Sequence, residues 1–180
     1  MHRLFVGLRP PSSMRARLLD LMGGIAGARW QDDGQLHLTL KFIGEVGSNQ
    51  ADDIAAALGR VHAPVLDLAL LGVGLFERRG IPHTLWAGVT PHEAVTALHH
   101  KVEQACASAG VPRDERAFAP HITLARLNRA TGPVDAFIEA HGGLSSPPMR
   151  FDHLILYESH LGQGGSLYEP VLRYALSQES

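Results

Sequence analysis

Leu36-His37-Leu38-Thr39-Leu40-Lys41-Phe42 alternates apolar and polar residues without a break. That period of two belongs to a half-buried β-strand. Successive side chains on a strand point to opposite faces, so residues two apart share one. Leu36, Leu38, Leu40 and Phe42 are therefore expected in the core, with His37, Thr39 and Lys41 together on the other face. A second copy of the pattern, His121-Ile122-Thr123-Leu124, lies in the other half of the chain. Among eleven histidines, only His37 and His121 have threonine two positions later. With six threonines in 180 residues, chance gives about 0.4 such pairs. Two pairs, each followed by leucine, point to a duplicated strand that presents one imidazole and one hydroxyl side by side.

Outward from these strands, the elements repeat in the same order. Leu4 to Leu8 reads as a strand. Met14, Leu18, Leu21, Met22 and Ile25 recur at helical spacing, which predicts a helix to about Ile25 with Pro11 in its first turn. After the His37 strand, Ala51, Ile54, Ala55, Leu58 and Val61 mark a helix and Val65 to Val73 a strand. The order then starts again. Thr84 to Val89 is a strand, and Thr90-Pro91-His92-Glu93 reads as a capping box before a helix. The His121 strand follows, then a short helix opened by Pro133 and closed by Gly142-Gly143. Strands over about 150–158 and 167–175 end the chain. The expected order is β-α-β-α-β, then β-α-β-α-β-β. This suggests one domain over residues 1–180, built from pseudo-repeats of about 1–75 and 82–180. A cleft between two such lobes is a common ligand site.

Composition narrows the function classes. Hydrophobic residues make up 45% and charged residues 19%, as in an ordinary globular domain. A net charge of −2 argues against a non-specific duplex binder, which carries a basic excess. Fourteen of the sixteen basic residues are arginine, a residue suited to bidentate phosphate contacts. The single cysteine, Cys106, leaves no internal disulfide and no cysteine-rich zinc cage. No apolar run approaches a membrane span, and the first residues do not form a signal peptide. A cytoplasmic monomer without a membrane is expected. Gly162-Gln163-Gly164-Gly165 lacks a following Lys-Ser/Thr and reads as a turn. His99-His100 and the Phe5, Phe42 and Phe118 rings are read as solvated and as core, respectively.

Two imidazoles and two hydroxyls suit phosphoryl transfer to water without metal or cofactor. One neutral imidazole takes a proton from water while a protonated one gives a proton to the leaving oxygen. The threonine hydroxyls donate to the non-bridging oxygens, where charge gathers.

Leu36 to Glu45, Phe118 to Arg126, Arg3-Leu4-Phe5-Val6, and Leu156-Tyr157-Glu158-Ser159 with Gly165 and Tyr168 together resemble the two-histidine (2H) phosphoesterases. Within that superfamily they resemble the RNA 2′,3′-cyclic phosphodiesterases, also called 2′-5′ RNA ligases (LigT-like). The resemblance implies an α+β fold, bilobal and pseudo-twofold, with antiparallel sheets, helices on the outer faces and a central cleft. It also implies metal-independent hydrolysis of RNA or nucleoside 2′,3′-cyclic phosphate ends to 2′-phosphates. The expected site is catalytic His37 and His121, with Thr39, Thr123 and Arg126 binding substrate. His121 is assigned the activation of water and His37 the protonation of the 3′ oxygen. The chain departs from the family at Ala117, where proline is common. Arg126 shares its parity with Ile122 and Leu124, so it reaches the site only if a bulge or the strand end turns it.

Two other readings use the same residues. One is a module that binds a nucleotide or 2′-phosphate RNA without turnover, which does not need a paired acid and base. The other is 2′-5′ ligation, the reverse reaction, against which water at about 55 M favours hydrolysis. A different cyclic phosphodiester, such as ADP-ribose 1″,2″-cyclic phosphate, is a further possible substrate.

Overall fold

The computed structural model describes residues 1–177. The strands are β1 (His2–Leu8), β2 (Arg29–Trp30), β3 (Leu38–Val46), β4 (Leu66–Arg78), β5 (Ile81–Thr90), β6 (His121–Arg126), β7 (Met149–Phe151), β8 (His153–Gly162) and β9 (Gly165–Ala175). The helices are α1 (Ser12–Leu21), α2 (Ser48–Leu58), α3 (His92–Ser108) and α4 (Asp135–His141). Both the α+β class and the antiparallel pairing agree with the sequence reading.

The strands form one open sheet in the order β7-β4-β5-β6-β3-β1-β8-β9, with β2 paired to β6. The two halves of this sheet meet at β3 and β6, through the single pairing of Leu38 with Ile122. Each half draws on both repeats. β4 crosses over to pair with β5, and β8 returns to pair with β1. The third strand of each repeat thus completes the sheet begun by the other repeat.

One face of the central strands is core. Leu36, Leu38, Leu40, Ile122 and Leu124 are almost wholly buried, and each such side chain contributes roughly 1.5–3 kcal/mol. Helix α3 packs on β3 and α2, and α4 packs on β4. No helix among the described residues is long and apolar enough to cross a membrane.

Several boundaries differ from the periodicity. The first helix stops at Leu21 rather than Ile25 because Gly23 and Gly24 adopt φ of +128° and +81°, left-handed backbone that glycine tolerates. Ile25 is buried all the same. Pro11 and Pro91 stand at the N-caps of α1 and α3 rather than inside the helices. The Thr90 capping box does not form, since Thr90 is the last residue of β5 and no side chain caps α3. The expected strand 150–158 is two. Asp152 interrupts it, β7 pairs with β4, and β8 pairs with β1. Strand β2 is only two residues long, too short to leave a periodic signal.

Candidate active site

His37 and His121 stand immediately before Leu38 and Ile122, the pair through which β3 meets β6. Continuing that antiparallel register by one residue sets His37 opposite Thr123 and Thr39 opposite His121. The four residues share the face turned away from the leucine core.

The two imidazoles are held in the same way. His37 Nδ1 lies 2.7 Å from the Gln35 carbonyl, and His121 Nδ1 lies 2.7 Å from the Ala119 carbonyl. A carbonyl only accepts, so Nδ1 carries the proton in both rings and Nε2 is left for the cleft. The Thr39 hydroxyl donates to His37 Nε2 over 2.8 Å. Burial lowers the proton affinity of His37 to about 4, opposed by the Gln35 bond and assisted by the nearby charges of Arg126, His121 and Arg9. Burial also lowers that of His121, opposed by the Ala119 bond and assisted by Arg126. Both rings are thus neutral in the free protein near pH 7.

Aromatic walls fix the rings. Phe5 lies 4.8 Å from His37 and Tyr168 meets it edge-on at 5.0 Å. Phe76 meets His121 edge-on at 4.7 Å. Gly7 passes under His37, where a Cβ would come within 2.8 Å of the Leu38 carbonyl.

Matching bulges follow the two His-x-Thr segments. In β3, Thr39 pairs with Gly7 and Lys41 with Val6, so Leu40 is the extra residue. In β6, Thr123 pairs with Trp86 and Ala125 with Leu85, so Leu124 is the extra residue. A bulge shifts the alternation by one. Beyond it, Arg126 turns to the histidine face and lines the His37 cavity. Arg126 Nη1 also donates to the Thr84 hydroxyl over 3.1 Å. Phe42, the counterpart of Arg126 in the first repeat, turns the same way and is 58% exposed rather than core.

The same shift takes Lys41 off the histidine face. It is 5% exposed, pairs with Glu103 at 3.0 Å and donates to the Pro112 carbonyl. His99 is not solvated. Its Nδ1 donates to the Leu40 carbonyl over 2.8 Å, and its ring stacks on Phe118 at 4.0 Å. Helix α3 thereby ties the first bulge to the segment that leads into His121.

A cavity of about 230 Å³ opens beside His37, lined by Arg3, Phe5, Phe42, Arg126, Ser166 and Tyr168. Another of about 310 Å³ opens beside His121, lined by Leu71, Phe76, Trp86, Val89 and Pro120. A larger cavity, about 480 Å³ around Pro82, Leu127 and Pro133, contains neither histidine. Sequence reasoning missed Tyr168, Phe76 and Trp86 as walls of the site, because distant strands supply them. Among the described residues, no three His, Cys, Asp or Glu side chains gather in a metal-sized cluster.

Similarity to known proteins fixes the family. Residues 12–163 match the family model of the 2′-5′ RNA ligase superfamily. An RNA 2′,3′-cyclic phosphodiesterase of Thermus thermophilus is 30% identical over 98% of this chain and 91% of its own. One from Archaeoglobus fulgidus is 29% identical over 93% and 96%, respectively. The crystal structure of Escherichia coli LigT complexed with 3′-AMP has a TM-score of 0.78 and 26% identity, covering 98% of this chain and 99% of that one. With the duplicated His-x-Thr strands brought together at the centre of the sheet, the chain belongs to the 2′-5′ RNA ligase superfamily.

Proposed function

We propose that this protein hydrolyses RNA or nucleoside 2′,3′-cyclic phosphate ends to 2′-phosphomonoesters by acid–base catalysis with His37 and His121. The observation that carries the proposal is the pair of like-oriented imidazoles, one from each repeat, where β3 meets β6 and the two halves of the sheet join. Relatives that bear the name RNA 2′,3′-cyclic phosphodiesterase support the choice of substrate.

The cyclic phosphate sits between the two imidazoles. Water attacks phosphorus and the 3′ oxygen departs on the opposite side, so the base and the acid flank the phosphate roughly in line. The attacking water loses a proton to one Nε2, and the 3′ oxygen gains one from the other. Thr39 and Thr123 donate to the non-bridging oxygens, and Arg126 supplies positive charge where negative charge gathers. We assign His121 as base and His37 as acid. His37 is the harder ring to protonate in the free protein, so its acid role depends on the bound phosphate anion to raise its proton affinity. The Thr39 hydroxyl, which occupies His37 Nε2 when no substrate is bound, then turns to the phosphate.

The test is incubation of cytidine 2′,3′-cyclic phosphate with the protein in EDTA, with 2′-CMP and 3′-CMP separated by chromatography. Turnover to 2′-CMP is expected. Loss of turnover on chelation, restored by a divalent ion, would sink the metal-free mechanism, and a 3′-CMP product would refute the 3′ oxygen as the leaving group while leaving the two-histidine site intact. A p-nitrophenyl ester, whose leaving group needs no proton, separates the roles. His37→Ala should be partly rescued on it and His121→Ala should not; the opposite pattern reverses the assignment. Binding without turnover would establish the binding-module reading.

A further inference from the structure

Arg29 and Arg126 face each other directly across the β2–β6 ladder. Residues so paired project from the same face of a sheet, with Cβ atoms about 4.5–5.5 Å apart, and like charges in that position destabilise it. The neighbouring Trp30 turns the other way, onto Phe137 at 5.5 Å. No carboxylate among the described residues forms an ion pair with either guanidinium. Two arginines held together without a counterion make a receptor for an anion.

The surroundings build that receptor. A cavity of about 110 Å³ is lined by Arg29, Gln31, Gln35, Arg126, Ser166 and Tyr168. It shares Arg126, Ser166 and Tyr168 with the His37 cavity, so the two adjoin. Its volume equals three to four waters at roughly 30 Å³ each, which suits one tetrahedral anion and is small for a nucleoside. The backbone N–H of Gln31 donates to the carbonyl of the bulged Leu124 over 2.8 Å, which holds β2 to the turn that aims Arg126. Gln35 Nε2 donates to the Ser166 carbonyl over 2.8 Å and draws the β8–β9 hairpin over the cavity. At Gly165, with φ of +113°, a Cβ would meet Arg29 Nη2 at 3.0 Å. The left-handed backbone that brings the hairpin against the guanidinium is one that glycine adopts readily.

Resting on the reading of the site as a cyclic phosphodiesterase, we propose that the Arg29–Arg126 pair binds a second phosphate, the internucleotide phosphodiester that precedes the reacting cyclic end. Arg126 lies between the two phosphates and serves both. Arg29 serves the second, and the protein thereby favours cyclic ends of RNA chains over free nucleoside cyclic phosphates.

The experiment compares kcat/KM on cytidine 2′,3′-cyclic phosphate and on the dinucleotide ApC 2′,3′-cyclic phosphate. The wild type should favour the dinucleotide by about 10–100-fold, the range of one charge-assisted phosphate contact. Arg29→Ala should remove most of that preference, and Arg29→Lys should keep part of it. Arg126→Ala should lower turnover of both substrates. On the dinucleotide, the slope of log kcat/KM against log salt should be shallower by about 0.7 in Arg29→Ala, as for one lost contact to a single strand. The Tm of Arg29→Ala at low salt should equal or exceed that of the wild type, since the substitution relieves a like-charge pair. Equal losses on both substrates in Arg29→Ala, or a wild type without dinucleotide preference, would overturn the subsite while leaving the hydrolase reading intact. Failure of the wild type to turn over either substrate would overturn both.

Discussion

Desolvation in its partly buried seat pushes the pKa of His37 down to about 4, against 6.5 for an ordinary imidazole. Between those pH values the unfolded chain binds the proton and the folded chain does not. Stability therefore falls as pH drops from 6.5 towards 4, and this contribution to the fall ends below 4. In thermal melts, His37→Asn should flatten the Tm profile over that window; an unchanged slope would show that His37 is not buried as described. The same shift shapes catalysis. The free enzyme needs one protonated and one neutral imidazole, and burial lowers the affinity of both rings. The profile of kcat/KM should be bell-shaped with its maximum below pH 6.5, and that of kcat should lie at higher pH because the bound anion stabilises the imidazolium. A monotonic rise of kcat/KM into alkaline pH would point to hydroxide instead. His37→Ala and His121→Ala should each lower kcat/KM by at least about 10²–10⁴-fold, with smaller losses for Thr39→Ala and Thr123→Ala; near-full activity in either histidine variant contradicts the proposed roles. These four positions were legible in the sequence because the strand period places them. Arg29 and Phe76 were not, because strand pairings far apart in sequence bring them to the site, and Tyr168 entered only as part of the resemblance, without a role.

Strand β3 and helix α3 are joined by the buried Lys41–Glu103 pair and by His99 beneath Leu40. The sequence placed Lys41 with His37 by simple alternation. The bulge at Leu40 breaks that alternation, and no residue at Leu40 or Leu124 signals an irregularity. Parity could still show that one was needed, since Arg126 reaches the histidine face only if the strand slips by one. The pair makes a stability prediction for these elements. Removal of one partner leaves a charge buried alone and typically costs 3–5 kcal/mol, so Lys41→Met and Glu103→Leu should each lower the urea midpoint sharply. The double variant should recover most of the loss, because matched apolar side chains often replace a buried pair at little cost. Additive losses in the double variant would show that the two charges do not compensate each other.

The whole sheet is an exchange between repeats. β4 completes the half that contains β5 and β6, while β8 and β9 complete the half that contains β1 and β3. The sequence showed the repeated order of elements but not this exchange, because the periodicity of a strand does not reveal its partner. Energetically, β4 to β7 follow one another in the chain while β1 and β3 wait for β8 and β9 from its far end, and the core runs through both halves. The protein should therefore unfold as one cooperative unit. Its chromophores allow a direct test. Trp30 on β2 and Trp86 on β5 report the half built around β6, and Tyr157, Tyr168 and Tyr174 on β8 and β9 report the other. Urea transitions followed by tryptophan fluorescence, tyrosine absorbance and far-UV circular dichroism should coincide. If the tyrosine transition separates from the tryptophan one, the halves unfold independently. The alignment of His37 with His121 would then rest on the Leu38–Ile122 junction alone, not on the exchanged strands.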